Sequence, residues 1–213
     1  MIRTFDEFKR IERKIVKSVR TESLEKSSKL INSYVIDRLE TISYRQGSYY
    51  AQLVDESNSK IGTIVDTSNA AGHSVSESTV RKLYNKKAIP TFESMAKILA
   101  ERGRDLNLNL EPFEGSSRFN RWARISVGDN IAYQVSTLLQ RLLKNKLVSV
   151  SELAILSGVS EATIYCAERQ INSPLYAANI VCHEPETVCR IAAACGYRMS
   201  ILFPRSKGNP IEA

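Results

Sequence analysis

Apolar residues recur at three- and four-residue steps from the start of the chain, at Ile2, Phe5, Phe8, Ile11, Ile15 and Val19, with Arg10, Arg13, Lys14 and Lys17 on the other faces. This period predicts an amphipathic helix over about residues 3–20. Its stripe needs cover, either from the rest of the chain or from the same helix of a second copy; so few heptads make a marginal isolated coiled coil. A polar joint, Thr21 to Ser28, precedes a second helix from Lys29 to Ser43 carrying Leu30, Ile31, Tyr34, Val35, Leu39 and Ile42. Gly47 and Ser57-Asn58-Ser59 then break the pattern, and helices are expected over Lys60–Ala71, Ser76–Lys86 and Ile131–Lys146, the last with Leu138, Leu139, Leu142 and Leu143 inward. The period switches to two in Asp105-Leu106-Asn107-Leu108-Asn109-Leu110 and in Arg198-Met199-Ser200-Ile201-Leu202-Phe203, each the signature of a short strand. Between the halves, Glu111-Pro112-Phe113-Glu114-Gly115-Ser116-Ser117 reads as a linker, followed by the basic aromatic cluster Arg118-Phe119-Asn120-Arg121-Trp122-Ala123-Arg124.

Within this pattern, Ser149 to Ile164 spells two short helices joined by a tight turn. Ala154 suits a close helix crossing, Gly158 can take a positive φ in the turn, Ser160 can cap the second helix, and Ile164 faces inward. Val75-Ser76-Glu77-Ser78-Thr79-Val80 repeats Val159-Ser160-Glu161-Ala162-Thr163-Ile164 at an offset of 84, which also aligns Ala70 with Ala154 and Pro90 with Pro174. Ser74 and Asn69 replace Gly158 and Leu153, so the earlier copy is degenerate ahead of its second helix. With nine extra residues in the later copy, Glu93–Ala100 and Gly103 then match Glu186–Ala193 and Gly196.

The Ala-x3-Gly-x5-Ile spacing and the Glu168-Arg169 pair resemble bacterial and phage repressors of the lambda-repressor-like (Cro/XRE-type) helix-turn-helix family, although Gln170 stands where that family carries glycine. The resemblance covers roughly residues 60–110 and 130–203. It implies a mainly all-α fold: an N-terminal helix region (1–28), a first, degenerate helix-turn-helix domain (29–110), a linker with the basic aromatic cluster (111–124), a second helix-turn-helix domain (125–204) and a tail (205–213).

Composition narrows the function. Hydrophobic residues make up 43% of the 213, so the chain is globular, and no apolar run reaches the roughly 18 residues of a membrane span. The first residues lack an apolar signal core, and a cytoplasmic protein without a membrane partner is expected. Basic residues exceed acids by seven, with 19 against 14 in residues 1–105 and 11 against 9 beyond. Cys166, Cys182, Cys189 and Cys195 lack paired C-x2-C spacing; small buried thiols are expected rather than a zinc site with His183, and no cofactor is expected. His73 and His183 are the only histidines and no hydrolase, Walker or metalloprotease pattern appears, so no enzyme is expected.

In helix-turn-helix proteins the second helix enters the major groove, its early outward residues reach base edges, and flanking cations hold phosphates. In the first copy this assigns double-stranded DNA contact to Ser76, Glu77, Ser78, Arg81, Lys82 and Asn85, with Arg81 suited to guanine and Asn85 to adenine, and places Lys86 and Lys87 at the phosphate rim. In the second copy it assigns Ser160, Glu161, Tyr165, Arg169 and Gln170. Arg118, Arg121 and Arg124 read either as a backbone-tracking arm or, around an apolar Trp122 plug, as an inter-domain hinge. The expectation is a sequence-specific transcriptional repressor of a phage or mobile element that forms a homodimer, with the N-terminal helix serving either packing or dimerisation. The rival is an antitoxin or phage inhibitor whose second domain binds a host protein.

Overall fold

A computed structural model describes residues 3–56, 76–85, 89–100, 103–113, 121–125, 131–144, 146, 148–169 and 184–204, with the backbone alone at 49–56, 83, 121–125, 131–134, 136, 137 and 169. The described chain is mainly helical with one small sheet. In order it forms α1 (Phe5–Thr21), α2 (Leu24–Glu56), α3 (Glu77–Tyr84), α4 (Phe92–Ala100), β1 (Leu106–Pro112), β2 (Arg121–Ile125), α5 (Ile131–Lys144), α6 (Val150–Ser157), α7 (Glu161–Arg169), α8 (Pro185–Ala194) and β3 (Tyr197–Leu202).

α1 starts where Thr4 and Glu7 form a reciprocal capping box, which satisfies two backbone donors at the helix end. Its stripe is covered inside the chain: Phe8 and Ile15 are buried, and the Phe8 ring meets Tyr34 of α2 edge-on at 5.7 Å. The stripe that motivated a dimeric helix pair is therefore occupied by the chain's own core.

α2 differs most from expectation. It begins at Leu24, five residues early, and runs 33 residues through Gly47, which sits buried inside it. Glycine in a helix costs about 1 kcal/mol relative to alanine, but long helices are held by packing more than by propensity. Here α2 is the central strut, touching α1 and α3 on one side of the repeat and α6 and α8 on the other. The expected helix at residues 60–71 lies outside the described residues.

The two alternating segments form strands, and they pair with each other. β1 lies in the middle of a three-stranded antiparallel sheet, between β2 and β3. Residues 121–124, expected in a linker, belong to β2, which pairs Trp122 with Asn109 and Arg124 with Asn107. The middle strand needs hydrogen-bonding partners on both edges, and the arginine-rich segment supplies one of them. The sheet and α2 thus join what the sequence divides at residues 111–124.

Candidate nucleic-acid interface

The candidate surface is built twice from the same local instructions. In the first copy Ser76 caps α3, its Oγ accepting the Thr79 amide at 3.2 Å and lying 2.8 Å from Thr79 Oγ1; in the second, Ser160 caps α7 with the same pair of distances to Thr163. Val80 and Ile164, one residue further on, point inward at 3% and 0% exposure. The helix ahead of α7 carries its own capping box, Ser149 with Glu152, and stops at Gly158, whose φ of 67° lets its amide reach Ala154 O at 2.9 Å. This left-handed stop turns the chain toward α7 and is accessible to glycine at low cost.

The equivalence continues past the insertion. α4 and α8 carry matching surface ion pairs, Lys97 with Glu93 at 2.7 Å and Arg190 with Glu186 at 2.8 Å. Met95 and Val188 are fully buried at equivalent positions, as are Ile98 and Ile191. Both helices end at a positive-φ glycine, Gly103 (59°) and Gly196 (80°), whose amides donate to Ala100 O and Ala193 O, each at 3.0 Å. The strands that follow pair so that Leu108 lies opposite Ile201. Those two residues occupy equivalent positions at the offset of 93, so the register is symmetric about this pair: Asn107 faces Leu202 on one side of it and the equivalents, Asn109 and Ser200, face each other on the other. An antiparallel register of that kind relates the two strands by a local two-fold axis.

On α3 the outward surface consists of Ser76, Glu77, Ser78, Arg81, Lys82 and Asn85, all exposed. Arg81 is held back by Glu77, with Nε donating to Oε1 at 2.7 Å and Nη2 donating to the same oxygen. An exposed i,i+4 pair of this kind contributes a few tenths of a kcal/mol, so the guanidinium is cheaply released. Lys82 lines a pocket of about 740 Å³ shared with Glu40 and Glu186, so acids flank that cation.

On α7 the exposed residues are Ser160, Glu161, Ala162 and Tyr165, a more neutral surface. Its last turn is braced from α5: Gln140 Nε2 donates to Glu168 O at 2.8 Å and Lys146 pairs with Glu168 at 2.6 Å. Lys146 is therefore committed to the protein, whereas Lys144 is exposed. Arg169 closes α7, and Arg121 and Arg124 lie in β2, all three placed by backbone alone. Lys86, Lys87, Arg118 and Gln170 lie outside the described residues, as do His73, His183 and Cys182.

Sequence reading missed the shared ladder at Leu108 and Ile201. A signal was present: two equivalent alternating segments, each a lone strand in need of a partner. Among the described residues no three His, Cys, Asp or Glu side chains converge on a metal-sized site, and no helix is long and apolar enough to cross a membrane. No protein-family model matches the chain, and neither does a curated protein or a solved structure.

Proposed function

We propose that the protein binds duplex DNA sequence-specifically through two helix-turn-helix units in one chain and regulates transcription, in the manner of the repressors its motif resembles. The observation that carries this reading is the ladder whose register is symmetric about Leu108 and Ile201, together with the repeated caps at Ser76 and Ser160. A two-fold relation between units carrying α3 and α7 matches the two-fold symmetry of a duplex read from one side. The two outward surfaces differ, Arg81 and Asn85 against Tyr165 and Arg169, so the preferred site is two dissimilar half-sites. One chain then does the work of a dimer, and no second copy is required.

Selection of bound duplexes from a random pool by the full-length chain tests this, followed by fluorescence anisotropy of the winner at several salt concentrations. An enriched bipartite motif is expected. Arg81→Ala should weaken binding by about 1 to 3 kcal/mol and relax one base position in one half, and Arg169→Ala should act on the other half. Salt-sensitive binding without a motif would sink the reading.

A second reading rests on the exposed apolar residues of the later copy, Ile155 at 48% and Tyr165 at 41%. It assigns that surface to a protein partner and leaves DNA contact to α3. Arg81→Ala would then abolish DNA binding, while Tyr165→Ala and Arg169→Ala would leave it intact.

A further inference from the structure

Among the described residues, two buried arginines differ in how their charge is met. Arg198, from β3, donates from Nε and Nη2 to the two oxygens of fully buried Glu12 at 2.7 and 2.6 Å, and its Nη1 reaches Glu111 at 3.1 Å. Arg38, on α2, is 5% exposed and has no such partner among the described residues. Its Nε donates to Met199 O at 2.9 Å and its guanidinium lies over the Phe8 ring at 5.2 Å, which anchors the group without supplying a negative charge. A buried cation with no counter-ion is costly, and proteins retain one where a ligand or a partner supplies the charge.

Arg38 opens into a pocket of about 270 Å³ between α2 and β3, lined also by Thr41, Arg45, Gln46 and Ser200. Gln46 is 2% exposed, and neither its Oε1 nor its Nε2 has a hydrogen-bond partner. Arg45 is exposed and near enough for its charge to depress the proton affinity of Arg38, burial being the larger cause of that depression. Two cations that repel each other, an amide with neither atom satisfied and the Ser200 hydroxyl surround one small cavity whose lining holds no carboxylate, while the Thr41 hydroxyl there already donates to Asp37 O at 2.9 Å.

We propose that this pocket binds a small oxyanion ligand, phosphate- or carboxylate-bearing, which Arg38 and Arg45 neutralise and which accepts from Gln46 Nε2 and the Ser200 hydroxyl. The site is independent of the DNA reading. It is an effector site in the physical sense that its occupant joins the central strut α2 to β3, the strand through which the two copies meet.

Calorimetric titration of the full-length chain with inorganic phosphate, and separately with succinate, at fixed ionic strength in chloride, tests the proposal. One saturable site per chain is expected for at least one of the two ions. Saturation by phosphate alone assigns a tetrahedral anion, and saturation by succinate alone a carboxylate. Arg45→Gln removes an exposed charge and should weaken that binding about tenfold, the size expected for one charge-assisted contact. Arg38 is left in place because it also holds Met199. Gln46→Glu instead supplies the missing negative charge from within. It should abolish anion binding and raise the ligand-free unfolding midpoint, an outcome that a destabilised variant cannot mimic. Absence of saturable binding by both ions, or equal binding by the parent and both variants, overturns the proposal.

Discussion

At the scale of single residues, the chemistry of a position and the shape of its backbone make separate contributions, and two sites separate them. A methyl group added at Gly158 would find room, its nearest neighbour being Arg190 Nη1 at 3.7 Å, but the φ of 67° penalises any side chain. Gly158→Ala should therefore cost about 1 to 2 kcal/mol of stability through conformation alone, and Gly158→Asn less, as measured by urea unfolding. Cys189 tests burial. Its thiol, 1% exposed on α8, is pushed up from 9.0 to about 12 by burial, against the pull of Arg38 and Arg190. The folded-state value is the raised one, so this stability is whole below the unfolded value near 9.0 and is lost as pH rises toward about 12, because only the unfolded chain gives up the proton in that window. The slope is about 1.4 kcal/mol per pH unit for this group. Tyr34, raised first by burial and then by the neighbouring Glu12, acts in the same direction. Cys189→Ala copies the residue at the equivalent position of the first copy, Ala96, and should flatten the alkaline decline by about one group's share. An unchanged slope in the variant would show that the thiol ionises freely in the folded protein.

At the scale of elements, what was legible in the sequence is what local chemistry dictates. Helix periodicity located α1 and α5, serine caps located the starts of α3 and α7, Gly158 located a helix stop, and alternation located β1 and β3. Interactions between distant segments were not legible. Gly47 reads as a breaker because its local cost is visible and the packing that outweighs it is not. Glu12 sits in a strongly charged stretch of α1 and gives no local sign of being fully buried, because its partner Arg198 lies 186 residues away. That pair fixes α1 to β3, and Tyr34 adds a hydrogen bond to Glu12 at 3.0 Å. Removing one partner of a buried pair costs about 3 to 5 kcal/mol because a buried charge is left behind, whereas replacing both can be nearly neutral. Glu12→Gln should accordingly lower the unfolding free energy by about 3 kcal/mol, and Glu12→Met combined with Arg198→Met should recover most of the loss. Additive losses in the double variant would mean that the two groups do not act as a pair.

At the scale of the whole molecule, the sheet and α2 together decide how the two candidate reading heads are coupled. A linker of Gly, Ser and Pro between two domains would let each find its half-site separately, with the second binding event governed by effective concentration. Instead β1 carries β2 on one edge and β3 on the other, and α2 contacts elements of both copies. With α3 packed on α2, and α7 on α5 and on α6, which itself packs on α2, the two candidate heads share one framework, and in the proposed reading they would have a fixed spacing and a fixed rotation about the duplex axis. Half-site centres on one face should then lie about one helical turn, 34 Å, or a multiple of it apart. Inserting about five base pairs between the half-sites of the selected duplex turns one of them by half a turn, to the far side. Affinity should fall to that of a single half-site and should return in part when the insertion is lengthened to about ten base pairs. Anisotropy titrations with the three duplexes measure this directly. A tethered pair of independent heads would tolerate both insertions, with a smooth loss as the span grows. Alternation of affinity with insertion length would thus place the rigidity of the ladder at Leu108 and Ile201 in the recognition step itself.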